Sequence, residues 1–284
     1  METSCLSPPE TKQGQPFVSG AIASVAAELT TFPIDLAKTR LQIQGQVFDS
    51  RYTKLKYRNP LHAIVKICKH EGFTALYRGC APAVFRQIVY GGLKRWTYKN
   101  LNRSYNGVQS FSSNLAFAFI SGSSSAAMCN PVDILKVRMQ TQGMTLSNSS
   151  KQLIQDGFKG CFRGVSPNIW RTGVLVGVTF SVYDESTRIL RHNFGDWYIT
   201  SYVISSSFAS ILGTVFVNPF DVTKSRMMNQ SLHNVRYTSM WHCIYETYKA
   251  EGFRAFYKGY LANLFRSVPW HFVFFLVTDF VEKR

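Results

Sequence analysis

The chain of 284 residues is long enough for one large domain or two ordinary ones, and its 45% hydrophobic content can bury a core in either case. Lys and Arg number 32 against 16 Asp and Glu, an excess that suits nucleic acid, anionic lipid or a small anionic solute as partner. The six cysteines lie far apart, without a CxxC pair or a histidine at zinc-ligand spacing, which argues against a zinc site and favours reduced, structural thiols.

Six stretches are typical of membrane-spanning helices, although the mean hydropathy of −0.07 resembles that of a soluble protein. The 29 residues between Arg103 and Asp133 and the 24 between Asp196 and Asp221 contain no charged residue, and a span needs roughly 20. In chain order the predicted spans are residues 16–41, the span that includes "YRGCAPAVFRQIVYGGLKRW", the first charge-free stretch, the span that includes "FRGVSPNIWRTGVLVGVTFSVY", the second charge-free stretch, and the span that includes "YKGYLANLFRSVPWHFVFFLVT".

Two segments between spans have helical apolar spacing, "PLHAIVKICKH" (60–70) and "MWHCIYETYKA" (240–250). A helix covering a soluble core would show the same spacing. Because both segments lie between predicted spans, we expect amphipathic helices at the membrane surface.

A signature of eight residues occurs three times, as "PIDLAKTR" (33–40), "PVDILKVR" (131–138) and "PFDVTKSR" (219–226). Proline, aspartate, lysine and the final arginine keep their places each time. Such recurrence indicates three homologous units.

A second motif follows in each unit, as "EGFTALYRG" (71–79), "DGFKGCFRG" (156–164) and "EGFRAFYKG" (251–259). We predict three helix–loop–helix units (16–103, 104–191 and 192–284) after an N-terminal tail (1–15), so the fold is all-α with six spans. Parallel repeats of two spans each enclose a central path. The basic residues recur with the spans instead of clustering on a soluble face, which argues against nucleic acid as partner.

The sequence contains no pattern typical of an enzyme. The histidines have no metal-ligand spacing, and no Walker A loop, GxGxxG or GxSxG sequence occurs. The opening "METSCLSPPETKQGQ" has neither an apolar core nor an Arg-rich amphipathic pattern, so we expect an internal membrane address. We expect no catalytic residue, no metal and no cofactor.

With both motifs present three times, the chain resembles the mitochondrial carrier family over residues 16–284. Within that family "FPIDLAKTRLQIQGQ", "KYRNPLHAIVKICKHEGFTALYRG" and "DVTKSRMMNQ" resemble the uncoupling-protein-like branch, particularly its brain and kidney members. The resemblance implies a multi-pass inner-membrane protein with six helices around a pseudo-threefold axis, loop helices in the matrix, both termini in the intermembrane space and transport by alternating access. We expect it to act as a monomer.

The first motif supplies the parts of a gate. Proline bends a helix, because it removes a hydrogen bond and clashes with the preceding turn, and the expected bends lie at Pro33, Pro131 and Pro219. The resemblance implies a matrix-side gate in which acids and bases of neighbouring helices pair, formed by Asp35, Lys38, Asp133, Lys136, Asp221 and Lys224. A pair within one helix would explain one signature but not three at matched depth. Gln42 and Gln140 match a bracing glutamine, and Met228 replaces the third.

The gate on the opposite side departs from the family pattern. Asp184 and Asp279 supply acids there, but Lys99 stands where an acid belongs, and Thr187 and Glu282 stand where bases belong. We predict a weak cytoplasmic gate that opens readily.

Seven residues after the last glycine of each second motif stands an arginine: Arg86, Arg171 and Arg266. An arginine at membrane depth is costly unless it faces water or a partner, and snorkelling would explain one of them but not three at one offset. These positions match the substrate-contact positions of the family, so we predict an anion site. Further predicted contacts are Gln87, Thr172 and Ser267, next to the arginines, and Tyr90 and Lys94, on the helix face of Arg86.

Two features leave alternatives open. Glu28 is a buried acid that can carry a proton or pair with an arginine, and pairing is favoured. The distance from the signature proline to the loop glycine is 39, 26 and 33 residues in the three units, so the second unit has room only for a short, polar loop helix.

We predict a carrier for small anions, either inorganic anions or dicarboxylates, by exchange or with proton coupling, and anionic lipid such as cardiolipin as a further partner. The alternatives are a fatty-acid-dependent proton leak and a transport-inactive structural or regulatory membrane protein.

Overall fold

A computed structural model describes residues 15–46, 57–105, 111–194, 198–230 and 236–282. Within these ranges the chain is predominantly helical, which confirms the all-α prediction. The helices are α1 (Gln15–Ile43), α2 (Pro60–Glu71), α3 (Cys80–Ser104), α4 (Phe111–Met128), α5 (Asn130–Gln142), α6 (Leu146–Gln155), α7 (Gly157–Cys161), α8 (Val165–Phe194), α9 (Tyr198–Asn229), α10 (Met240–Glu251) and α11 (Tyr260–Glu282), with short 3-10 turns at Phe73–Tyr77 and Phe253–Tyr257.

The long helices form a closed bundle in which each packs against the next in chain order. α1 packs against α3, α3 against α4, α4 against α8, α8 against α9, and α9 and α1 both against α11. α1, α5 and α9 also contact one another pairwise. Among the described residues, no helix combines the length and the hydropathy expected of a membrane span.

The three signature prolines occupy different helical contexts. Pro33 lies inside α1 and Pro219 inside α9, whereas Pro131 follows a break at Cys129 that separates α4 from α5. The helix is thus interrupted near Pro131, and the expected bends at the three prolines stay a prediction. At Pro33 and Pro219 the helix continues through the proline.

An asparagine before the proline ties two of these helices to the second motif of the same unit. The amide nitrogen of Asn130 donates to the carbonyl oxygens of Cys161 (2.8 Å) and Arg163 (3.0 Å), and that of Asn218 donates to Phe256 (2.6 Å). In the first unit Phe32 takes this position and its ring stacks on Tyr77, with centroids 6.1 Å apart.

Each loop contains the expected short helix. α2 and α10 have 12 residues, and α6, in the shortened second loop, has 10. The hydroxyl of Thr145 caps α6 by accepting from the backbone N–H of Asn148 at 3.4 Å. On α10, Cys243 is fully buried while Trp241 is 62% exposed, so apolar side chains face both the core and the outside.

An apolar cluster joins the three central helices at one end of the bundle. It contains Ile43 of α1, Ile134 and Val137 of α5, Leu153 of α6 and Met228 of α9. Met228 therefore contributes to packing at the position where the signature would place a third glutamine.

Candidate functional site

Three Lys–Asp ion pairs form a closed ring where α1, α5 and α9 meet. In each pair the lysine of one helix reaches the aspartate of another. The pairs are Lys38 with Asp221 (2.8 Å), Lys224 with Asp133 (2.7 Å) and Lys136 with Asp35 (2.8 Å). Since α1 pairs with α9, α9 with α5 and α5 with α1, the structure brings together all six residues predicted for the gate.

The ring is mostly removed from solvent. The side chains of Asp221 and Lys38 are 5% and 11% exposed, and the other two pairs are similarly buried. Buried charges are costly unless they are paired, and removing one partner of such a pair typically costs about 3–5 kcal/mol. Loss of any one of the six residues is therefore expected to destabilise the protein.

Each aspartate of the ring also contacts an arginine from the even-numbered spans of the sequence prediction, which correspond to α3, α8 and α11. The contacts are Arg171 Nε with Asp221 Oδ1 (2.5 Å), Arg86 Nε with Asp133 Oδ1, and Arg266 Nη1 with Asp35 Oδ1 (3.4 Å). Every ring carboxylate thus bridges a lysine and an arginine. The three arginines, predicted at one offset, occupy equivalent places.

The ring and the arginines line one central cavity of about 230 Å³. Pockets for drug-sized ligands span roughly 300–1,000 Å³, so this cavity suits a small solute. Its charged lining comprises six lysine and arginine side chains and four carboxylates, a net charge of +2. A cavity of this charge attracts anions.

The sequence profile of the mitochondrial carrier protein family matches this chain three times, over residues 10–109, 107–194 and 196–284. The chain belongs to the mitochondrial carrier family. Members of that family are transporters and multi-pass proteins of the mitochondrial inner membrane, and this carrier is located there.

Curated relatives match over almost their whole length. Kidney mitochondrial carrier protein 1 of Xenopus laevis is 40% identical over 95% of this carrier and 97% of its own length. The mitochondrial substrate carrier family protein ucpA of Dictyostelium discoideum is 35% identical over 89% and 88%. Mitochondrial uncoupling protein 1 of Arabidopsis thaliana is 30% identical over 94% and 92%.

The two glutamines of the carrier signature behave differently. Gln140 donates to Asp35 Oδ2 at 3.2 Å and accepts from the hydroxyl of Thr39 at 2.8 Å, so it contacts the aspartate of the Lys136 pair. Gln42 instead accepts from the hydroxyl of Ser225 at 2.7 Å. No hydrogen bond from Gln42 to Asp221 occurs in the described part of the carrier.

Two of the additional predicted contacts line the cavity. Gln87 donates to Glu28 at 2.9 Å, and the ring of Tyr90 lies 5.0 Å from the guanidinium carbon of Arg86. A cation over an aromatic face is held electrostatically, which helps to orient this arginine.

Three other predicted contacts do not line the cavity. The hydroxyls of Thr172 and Ser267 each donate to a backbone carbonyl of their own helix at 2.9 Å. Lys94 is exposed. Gln87 occupies the same position relative to its arginine as Thr172 and Ser267, but its side chain is longer and reaches across to Glu28, which explains the difference.

Glu28 is the acid of the cavity that lies outside the signatures, and its side chain is only 2% exposed. Oε1 accepts from Lys136 at 2.9 Å, and Oε2 accepts from Gln87 at 2.9 Å and from Arg266 at 3.4 Å. This is the pairing arrangement that the sequence interpretation favours.

The predicted cytoplasmic gate lies outside what the structure describes in detail. Asp184 and Asp279 are positions of α8 and α11, but their side chains lie outside the described residues. Lys99, on α3, is exposed.

A second set of ion pairs was missed in the sequence interpretation. The final arginine of each signature pairs with the acid that opens the second motif of its unit: Arg40 with Glu71, Arg138 with Asp156, and Arg226 with Glu251. The base of the second motif joins in two units, with Arg78 on Glu71 (2.9 Å) and Lys258 on Glu251 (2.5 Å). The signal was present in the sequence, because the arginine recurs in each first motif and the acid and the base recur in each second motif.

The second unit has the weakest of these links. Arg40 and Arg226 each place two guanidinium nitrogens on both oxygens of a glutamate. Arg138 uses one nitrogen on Asp156, whose side chain is one methylene shorter, and its Nε and Nη1 have no hydrogen-bond partner among the described residues.

Proposed function

We propose that this carrier moves small anions, either inorganic anions or dicarboxylates, across the mitochondrial inner membrane by alternating access. The observation that supports this most strongly is the convergence of three equivalent arginines on one cavity closed by an ion-pair ring. Arginine binds carboxylate, sulfate and phosphate groups through two donors at once.

The ring is the proposed matrix-side gate. An ion pair near 4 Å at an effective dielectric of about 20 contributes roughly 4 kcal/mol before desolvation. Three such pairs hold α1, α5 and α9 together, and separating them opens the path to the matrix.

Anion binding is coupled to this gate through shared aspartates. Asp221 accepts from Lys38 on one oxygen and from Arg171 on the other. An anion that binds Arg171 competes with Asp221, and the loss of that contact weakens the hold of α9 on α8 while the lysine pair remains to be broken. The anion thus releases α9 from α8, and opening the gate still requires separation of the lysine pairs.

The membrane arrangement is part of the same proposal. Six spans, formed by α1, α3, α4 with α5, α8, α9 and α11, surround the cavity as three repeats (16–103, 104–191 and 192–284) after the tail at 1–15. The outward Trp241 on α10, 62% exposed, supports a place for that helix at the matrix interface. The excess of basic residues supports cardiolipin as a lipid partner.

The cytoplasmic gate remains a prediction. Asp184 and Asp279 are its proposed acids. Lys99 stands where the family pattern has a third acid. A gate with fewer ion pairs needs less free energy to open, so the cytoplasm-open state is expected to predominate. Accessibility labelling from both sides of the membrane tests this.

A proton leak is the second candidate, supported by relatives such as mitochondrial uncoupling protein 1 of Arabidopsis thaliana. Purified protein in liposomes separates the two. Uptake of a labelled anion that is lost in Arg171→Ala and kept in Arg254→Ala, an exposed arginine outside the cavity, supports anion transport. Proton flux that depends on fatty acid, without uptake of any solute, rejects it in favour of the leak.

If neither anion uptake nor proton flux is measurable, the result supports the third alternative, a transport-inactive membrane protein. The labelled anions tested should therefore include sulfate, phosphate, dicarboxylates and tricarboxylates. Uptake of each is measured into liposomes that contain the same anion and into liposomes that contain only buffer.

A further inference from the structure

The charges around the central cavity are not distributed symmetrically. Each ring aspartate has a lysine and an arginine, so a group of three carries a net charge of +1. The groups are Lys224, Arg86 and Asp133; Lys38, Arg171 and Asp221; and Lys136, Arg266 and Asp35. Glu28 adds a fourth charge to the third group and makes that group neutral.

Glu28 contacts both cations of its group. Its two oxygens accept from Lys136 at 2.9 Å and from Arg266 at 3.4 Å, and its side chain is 2% exposed. Arg266 therefore lies between two carboxylates, Glu28 and Asp35, at the same 3.4 Å distance. Arg86 and Arg171 each contact one carboxylate in the described structure.

This asymmetry is encoded in the sequence. Glu28 stands five residues before Pro33, and the residues five before Pro131 and Pro219 are Ala126 and Thr214. The first unit alone supplies a carboxylate at this position.

We propose that Glu28 determines the charge selectivity of the cavity by neutralising the Arg266 group, so that the bound anion is held by Arg86 and Arg171 and carries one or two negative charges. This rests on the proposed function of the cavity as an anion site. The net charge of +2 matches a dianion such as sulfate or a dicarboxylate, and a trianion finds no third unneutralised cation.

The size of the effect follows from Coulomb's law. A unit charge at several ångströms in a medium of effective dielectric about 20 changes an ion's affinity by about tenfold or more. Removing the charge of Glu28 should therefore strengthen the binding of a trianion more than that of a dianion.

Anion-induced thermal stabilisation of the purified full-length protein, at constant ionic strength, measures binding without requiring transport. The probes are sulfate and citrate, and the variants are Glu28→Gln, Glu28→Asp and the double variant Glu28→Gln with Arg266→Gln. We expect Glu28→Gln to raise the affinity for citrate relative to sulfate about tenfold. Glu28→Asp, which keeps the charge, and the double variant, which restores it, should resemble the wild type.

A second comparison tests the assignment of the arginines. Arg171→Gln should abolish stabilisation by sulfate, whereas Arg266→Gln should reduce it less. Both changes lower the net charge of the cavity by one, but the proposal assigns a direct contact with the anion to Arg171 and none to Arg266, which lies between Glu28 and Asp35. The proposal is overturned if Glu28→Gln leaves the citrate-to-sulfate ratio unchanged, if Glu28→Asp alters it equally, if Arg266→Gln matches Arg171→Gln, or if no anion stabilises any form.

These outcomes are separable from failure of the proposed function. Selective binding without uptake of any anion rejects transport and keeps the role of Glu28. Sulfate uptake with an unchanged charge preference in Glu28→Gln keeps transport and rejects that role.

Discussion

Lys38 and Asp221 lie 183 positions apart in the sequence and 2.8 Å apart in the structure. Their pair joins α1 of the first unit to α9 of the third, and it closes the ring begun by the other two pairs. Asp221 also binds Arg171, so one carboxylate connects the ring to the arginine of α8.

Replacing Asp221 should therefore damage both stability and transport. In Asp221→Asn two buried cations lose their shared counter-charge, and we expect the unfolding free energy to fall by about 3–5 kcal/mol. Thermal unfolding of the purified protein checks this, with Arg254→Ala, an exposed site, as the control. An unchanged melting temperature would show that the ion pair has no structural role.

The glutamines provide a test of bracing within one motif. Gln140 donates to the charged Asp35, whereas Gln42 accepts from the neutral Ser225. Hydrogen bonds to charged groups contribute about 1.5–3 kcal/mol and neutral ones about 0.5–1.5 kcal/mol, so Gln140→Leu should lower the melting temperature more than Gln42→Leu. Equal losses, or a larger loss in Gln42→Leu, would contradict the assignment of Gln140 as the brace.

Parts of the site could be predicted because the repeats place identical residues at identical offsets. The ring and the arginines could be expected from this together with the family resemblance, since charged residues at equivalent positions are costly unless they face a central path or a partner. Thr172 and Ser267 could not be assigned in the same way, because their short side chains bond to their own helices. The role of Glu28 depends on which cations a single, unrepeated acid reaches, and a repeat pattern holds no information about that.

The fold could also be predicted only in part. The helices and the short α6 follow from the spacing of apolar residues and from loop length. The missed pairs, such as Arg226 with Glu251, join residues 25 positions apart through a loop whose path the motifs do not specify. The mean hydropathy of −0.07 is low in part because many polar side chains line the central cavity.

The difference between the second unit and the others can be tested by exchanging acids. In Asp156→Glu the longer side chain can reach a second nitrogen of Arg138, which has two unpartnered nitrogens among the described residues. We expect a gain of about 1 kcal/mol in unfolding free energy. The reverse change, Glu251→Asp on Arg226, should cause a similar loss.

Opposite shifts of the melting temperature in these two variants would show that the length of the acid limits the second link. If Asp156→Glu destabilises the protein as much as Glu251→Asp does, the length of the acid is not what limits the second link.

The thiol of Cys243 on α10 should resist alkylation in the folded protein. The side chain is fully buried, and burial raises the thiol pKa from 9.0 to about 12, which suppresses the reactive thiolate. Between pH 9 and 12 the unfolded chain loses this proton while the folded chain keeps it, so the contribution of Cys243 to stability falls as pH rises. Maleimide labelling followed by mass spectrometry should modify Cys243 only after unfolding, and rapid labelling of native protein would contradict this.

Transport of an anion through the arginine-lined cavity is tested most directly by exchange of radiolabelled sulfate into sulfate-loaded liposomes by the wild type, Arg171→Ala and Arg254→Ala. We expect uptake by the wild type and by Arg254→Ala, and a loss of about tenfold to a hundredfold in Arg171→Ala, since a hydrogen bond to a charged group contributes about 1.5–3 kcal/mol. Undiminished uptake by Arg171→Ala would show that the arginine-lined cavity is not the anion path.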